Sequence, residues 1–268
     1  MSSIRSPIPD NGPVTQATSQ TWELTAGEHV CWRAGSIHEY AAGRDALIAQ
    51  ADQQAGGLLI LDGDPPRGVA HELGTSHGPD AALTAVRERV HRARRDGRAP
   101  WVLASMEQLT SPDAPVAEVV AIELELAELA ADTRTGVVCA YRGALWRPAV
   151  LGDIAPVHSR VVGITPDVSG FRLRPTGAHG YTLEGSVGFE SLRAFTTALR
   201  GALLRSPNLQ LHCEQLELID AAAWRAMVET VAAAPGTSVL LKHTNETVRA
   251  AWLMSGYGDA GVAVQVQP

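Results

Sequence analysis

The sequence predicts an α/β protein built from two consecutive α/β units. Short continuous apolar runs such as Leu58 to Leu61 and Val137 to Tyr141 lack polar alternation, the mark of strands covered on both faces. Between them lie longer segments whose apolar residues recur at spacings of three and four, the period of a helix. A turn cluster, Thr165-Pro166-Asp167-Val168-Ser169-Gly170, then divides the chain into a longer first part and a shorter second part. Strand alternating with helix implies parallel pairing with helices on both faces of a sheet.

Taken in order, residues 1–21 are polar and proline-punctuated and are expected to form a flexible tail, with order beginning near Trp22. Glu28 to Trp32 reads as a strand, and Ile37 to Ala55 as a helix with Tyr40, Ala41, Leu47 and Ile48 inward, closed by Gly56-Gly57. After the strand at Leu58 to Leu61, Asp62-Gly63-Asp64-Pro65-Pro66 breaks the chain. The pattern then gives a helix over Pro79 to Arg95, a strand over Trp101 to Ser105, a helix over Val116 to Ala131 and a strand over Val137 to Tyr141. A short helix over Pro148 to Ala155 and a strand over Arg160 to Ile164 close the first unit, residues 22–165.

The second unit, residues 170–268, opens with strands at Phe171 to Arg174 and Tyr181 to Glu184, split by Gly177 and Gly180, and a helix over Glu190 to Leu204. Its central stretch, NLQLHCEQLELIDAAAWRAMVETV, holds a strand-like run at Leu209, Leu211 and Cys213 and a second at Leu216 to Ile219. Asp220 is placed to cap a following helix, because its carboxylate can accept from free amides of the first turn; Trp224, Met227, Val228 and Val231 form that helix's apolar stripe. A strand over Val239 to Lys242, a helix begun by Asn245 and ended by Gly256, and an alternating strand over Val262 to Val266 complete the unit.

Composition bounds the function. The chain of 268 residues is 45% hydrophobic with a net charge of -7, which makes nucleic acid a poor partner. The arginines between Arg87 and Arg95 read as a solvated helix face. No run of eighteen apolar residues predicts a membrane span, the first residues lack the apolar core of a secretory signal, and three widely spaced cysteines suggest a reducing compartment. The expectation is a cytoplasmic protein.

Motifs give catalysis no support: the sequence has no CxxC or HExxH, and its bare GxSxG and GxGxxG matches, at 74–78 and 256–261, do not directly follow a predicted strand. A phosphate-binding loop of the Walker type needs a lysine, and the only lysine is Lys242, in the second unit. The loop after Leu61 instead carries Asp62 and Asp64, which repel phosphate. No enzyme activity and no cofactor are therefore expected. In open parallel sheets ligands sit beyond the carboxyl ends of the strands, where Asp62, Asp64, Ser105, Glu107, Tyr141 and Arg142 are expected to gather. Glu107 and Glu123 are candidates for a carboxylate pair, against the plainer reading in which Glu107 caps a helix or pairs with Arg142. His29 and Cys31 share one face of their strand and, with Cys139, are candidates for zinc; a lone His-x-Cys pair is a weak metal signal, and a structural or ligand-lining role is the expectation. No metal is assigned, and the remaining histidines show no ligand spacing.

From Phe171 onward the sequence resembles a STAS domain, the module of bacterial anti-sigma-factor antagonists and sulfate-transporter tails. The family's "fIDSSGL" corner is LIDAAAW here, and TNETVRAAWLMSGYGD is similar to the family's last helix. Asp220 matches the family aspartate, but Ala221 stands where the phosphorylatable serine is expected. His212 replaces a frequent aspartate, Ala223 a glycine and Trp224 a leucine. The resemblance implies partner binding through Asp220, Ala221, Ala222, Trp224 and Arg225 to an anti-sigma factor or a histidine-kinase-like ATPase, without the serine phospho-switch.

The first unit resembles the MEDS domain, a sensory module of bacterial regulators related in fold to RecA-like proteins. The matching residues are Gly27-Glu28-His29-Val30-Cys31-Trp32, Ser105-Met106-Glu107, Ile122-Glu123, Val138 to Arg142 and Trp146-Arg147-Pro148. The resemblance implies a RecA-like three-layer parallel sheet and a small-molecule signal of unspecified identity. His29, Cys31, Trp32, Asp62, Glu107, Glu123, Tyr141 and Arg142 are the candidate ligand-binding residues. The combined expectation is a non-catalytic regulator in signal transduction and transcription regulation. The alternatives are a self-assembling STAS scaffold, or an enzyme in the first unit.

Overall fold

In the computed structural model, which describes residues 22, 24–53, 57–61, 79–163, 170–176, 180–258 and 261–268, the apolar runs of the first part become one five-stranded sheet. Its elements are β1 (His29–Ala34), α1 (Ile37–Gln53), β2 (Leu58–Leu61), α2 (Pro79–Arg95), β3 (Trp101–Ser105), α3 (Met106–Leu109), α4 (Val116–Thr133), β4 (Val137–Arg142), α5 (Pro148–Ile154) and β5 (Arg160–Val162). The strands are parallel in the order β2-β3-β4-β1-β5. The expected tail, the loop from Asp62 to Pro66 and most of the turn cluster at 165–170 lie outside the described residues.

Because strand side chains alternate, the sheet has two differently filled faces. One packs Val30, Trp32, Leu103 and Val138 against Tyr40 and Leu47 of α1, with Trp22 wedged edge-on to Trp32 at 5.0 Å. The other packs Cys31, Val102 and Cys139 against α2 and α4. The arginine-rich helix α2 turns Val86 and Val90 inward and leaves Arg92, Arg94 and Arg95 exposed, as its pattern predicts.

The second sheet is mixed. It comprises β6 (Phe171–Pro175), β7 (Gly180–Val187), β8 (Asn208–His212), β9 (Leu216–Ile219), β10 (Ser238–Lys242) and β11 (Val264–Val266), with helices α6 (Leu192–Arg205), α7 (Ala221–Ala232) and α8 (Glu246–Met254). The order is β11-β10-β8-β7-β6, and β9 pairs β7 as well. Only β6 and β7 run antiparallel. A register shift between Gly185 and Ser186 lets the long strand β7 serve β8 with its first half and β9 with its second. Helix α7 begins where the sequence predicts: Asp220 accepts from the Ala223 amide at 2.8 Å. Asn245 caps α8 in the same way through Val248.

One apolar cluster runs from the α4 side of the first sheet into the second, through Val119, Val120 and Leu124 to Phe195, Leu199, Leu211 and Trp224. Its seam is the packing of α4 on α6, fringed by Arg205 on Glu125 (2.9 Å) and Arg193 on Asp153 (2.8 Å). Gly201 of α6 allows the two helices to approach: a Cβ there would meet Val120 Cγ1 at 2.4 Å and the Ala117 carbonyl at 2.9 Å. Gly201→Leu is therefore expected to destabilise the chain by about 1–3 kcal/mol through overpacking, read as a lower urea midpoint. An unchanged midpoint would show that the seam is loose.

Candidate functional site

Two places gather the residues that the sequence singles out. The first lies between the inner face of β1 and β4 and the helix α4. His29 opens β1 opposite Val137, and two residues on Cys31 faces Cys139 of β4, so the three side chains share the α4 side of the sheet. Glu123 falls within the buried stripe of α4 between Val119–Val120 and Leu126–Ala127, and it is completely buried. His158 follows the single 3-10 turn Ala155–Val157 that turns the chain from α5 into β5, and it too is completely buried.

The geometry is convergent. His29 Nε2 lies 3.0 Å from Glu123 Oε2 and 3.2 Å from Cys139 Sγ, and His158 Nε2 lies 3.1 Å from the same carboxylate oxygen. Tyr141 donates its hydroxyl to the other oxygen of Glu123. The two imidazoles stack at 4.2 Å, and each turns its Nδ1 to a main-chain carbonyl: His29 to Val157 at 3.2 Å, His158 to Ile154 at 3.0 Å. A carbonyl only accepts, so Nδ1 carries the hydrogen in both rings and each Nε2 presents its lone pair to the centre in the neutral form.

Burial pushes the Glu123 carboxyl up, but His158 and then His29, by charge and hydrogen bonding, outweigh it and hold the group well below the ordinary carboxylate range. Burial, reinforced by His158, lowers the His29 imidazole against the pull of Glu123. Burial and then the Glu123 charge push the Cys139 thiol and the Tyr141 hydroxyl well up.

This cluster differs from the sequence expectation in three ways. The donors converging on one point are His29, Glu123, Cys139 and His158, so Glu123 and His158 take the place expected for Cys31. Trp32 points to the α1 face of the sheet, because its position in β1 alternates with His29 and Cys31. The cluster also lies toward the starts of β1 and β4 rather than beyond their carboxyl ends. At those ends Glu107 accepts from the Arg142 amide (2.8 Å), Trp146 Nε1 (2.9 Å) and Ser105 Oγ (2.9 Å), with the Arg142 guanidinium at 3.6 Å. Glu107 and Glu123 are thus held by separate partners and do not form a carboxylate pair; the plainer pairing of Glu107 with Arg142 is the one found. Asp62 and Asp64 lie outside the described residues.

The sequence offers Glu123 as half of a carboxylate pair with Glu107 and as a ligand-binding residue, not as the partner of His29 and Cys139. His158 gave no comparable signal, since 35 residues separate it from Glu123 and it sits on a turn. No family model matches the chain, and a search of curated proteins finds no match.

The second place is the corner between β9 and α7. Asp220 spends its carboxylate inside the chain, on the Ala223 amide and on the Phe189 amide at 2.9 Å. Ala221 is exposed, Ala222 half-buried, and Arg225 exposed and paired with Glu229 at 2.7 Å. Trp224, a candidate contact residue, is instead completely buried and packs on Trp252 at 4.9 Å, because the stripe period turns it into the core. Phe189, which the sequence did not flag, stands 78% exposed beside the corner. A looser group of His212, Glu214 and His243 lies on the same sheet nearer the surface, with His243 Nε2 3.7 Å from Glu214. No helix among the described residues is long and apolar enough to cross a membrane.

Proposed function

We propose that the chain is a non-catalytic cytoplasmic regulator that acts by being bound: its second part is a STAS-like docking module and its first part a RecA-like, MEDS-like sensory module. The observation that carries this is the open corner, where exposed Ala221 and the outward Phe189 ring flank an acidic helix cap. Small side chains there leave backbone accessible, and a solvent-facing phenylalanine is the type of group that anchors an interface. The partner is a protein of the anti-sigma-factor or histidine-kinase-like ATPase type. A methyl group occupies the switch position, so control passes through the first part, by a shift in the population of docking-competent chains.

The test is affinity capture with the full chain, followed by identification of bound proteins. Wild type is expected to recover a kinase-like ATPase. Phe189→Asp and Ala221→Arg, both at exposed positions, are expected to weaken that binding at least about tenfold without changing the circular dichroism spectrum. Capture of chaperones alone, or equal capture by the variants, defeats the reading. Ala221→Ser restores a hydroxyl and is expected to make the captured kinase's phosphate transfer detectable at that residue.

A self-assembling scaffold is the second reading. It is favoured by the uncovered face of the second sheet, where Asn208, Gln210 and Gln265 line a surface concavity of about 310 Å³. Light scattering on the pure chain separates the two, because a scaffold is a large assembly without any added partner.

A further inference from the structure

We propose that His29, Glu123, Cys139 and His158 form a closed tetrahedral site for a borderline-soft divalent cation of the zinc type. The site is independent of the docking corner and stands or falls separately from it. Each residue offers one donor atom, and the four atoms all lie within 4.8 Å of one another. Tetrahedral ligands at zinc distances sit roughly 3.4 Å apart. The separations of 3.0, 3.1 and 3.2 Å from Glu123 and Cys139 to the imidazole nitrogens need to open by only a few tenths of an ångström.

Donor bookkeeping favours a cation. Both Nδ1 hydrogens are committed to the carbonyls of Val157 and Ile154, so two Nε2 lone pairs, a carboxylate oxygen and a sulfur face one another in a space sealed from water. Without an ion, two Nε2 lone pairs face one carboxylate oxygen, and each contact needs a proton on the ring or on the carboxyl inside the sealed space. A divalent ion removes that conflict. On binding, the Cys139 thiol loses its proton to solvent, and thiolate and carboxylate together neutralise the two positive charges while both imidazoles stay neutral. The surrounding contacts are those that orient metal ligands: a main-chain carbonyl behind each ring, and the Tyr141 hydroxyl on the free oxygen of Glu123. With all four positions taken by protein, the site is of the structural type rather than the open catalytic type. It joins β1, α4, β4 and the turn before β5, and so fixes the helix that packs on α6.

The experiment uses the full chain, purified from zinc-supplemented medium, dialysed and measured by elemental analysis. About one equivalent of zinc per chain is expected. Replacement by Co(II) should give the intense visible bands of a tetrahedral centre together with a thiolate charge-transfer band. Cys139→Ser is expected to abolish the charge-transfer band, and His158→Ala to weaken metal binding at least about tenfold. Cys213→Ser, just beyond the end of β8, should change neither. Less than about 0.1 equivalent of metal on a chain folded by circular dichroism overturns the proposal, and this result depends on no variant. So does a pale, octahedral Co(II) spectrum. Metal that persists in Cys139→Ser and His158→Ala but is lost in His243→Ala belongs to the surface group and also overturns it.

Discussion

Glu123→Ala is expected to lower folding stability by about 3–5 kcal/mol, measured by urea unfolding with chelator present so that no bound ion contributes. The reason is the number of groups that one carboxylate serves. His29 Nε2, His158 Nε2 and the Tyr141 hydroxyl all meet it, and every one of them is sealed from water. Removing it strands His158 Nε2 and the Tyr141 hydroxyl and leaves His29 Nε2 only the Cys139 sulfur, and a stranded buried group loses its full solvation energy. Glu123→Gln is the informative companion. Its amide can still accept from Tyr141 and donate to an imidazole lone pair, so its expected cost is smaller, about 1–2 kcal/mol. The expectation fails if alanine and glutamine cost the same, because the carboxylate would then be contributing bulk alone.

Trp224→Ala is expected to cost a similar amount, about 3–5 kcal/mol, and to lower the melting temperature by roughly 10 °C. The indole has no exposed surface and lies on Trp252, so its removal leaves a cavity under α7 that the neighbouring rings cannot fill. Ala221→Arg, three residues earlier on the same helix, faces solvent and is expected to stay within about 0.5 kcal/mol of wild type. The contrast separates two positions of the LIDAAAW corner: Trp224 holds the helix down, while Ala221 faces solvent. Equal effects of the two substitutions would mean that the corner is packed differently from this description.

The two candidate places were legible to different degrees. The corner between β9 and α7 is local. Cap, small residues and apolar stripe occupy successive positions, so the period of the helix assigns each its direction; only the exposed Phe189, brought in from the turn ahead of α6, escapes that reading. The buried cluster is not local. Strand alternation puts His29 and Cys31 on one face, but which strand brings Cys139 to them is a property of the sheet order. Trp32 illustrates the same limit from the other side: its place in a motif-like run suggested a shared site, and the alternation of β1 sends it to the opposite core.

By itself the sequence determined the alternation of strands and helices, the caps at Asp220 and Asn245, the solvated face of α2 and the methyl side chain at residue 221. These follow from backbone periodicity and from side-chain chemistry within a few residues, which need no knowledge of the rest of the chain. Only the tertiary structure decided that α4 lies against β1 and β4 on one side and α6 on the other, with Gly201 allowing the close approach. That packing carries Glu123 to His29, Cys139 and His158, and contacts between residues so far apart in sequence are set by which apolar faces bury each other.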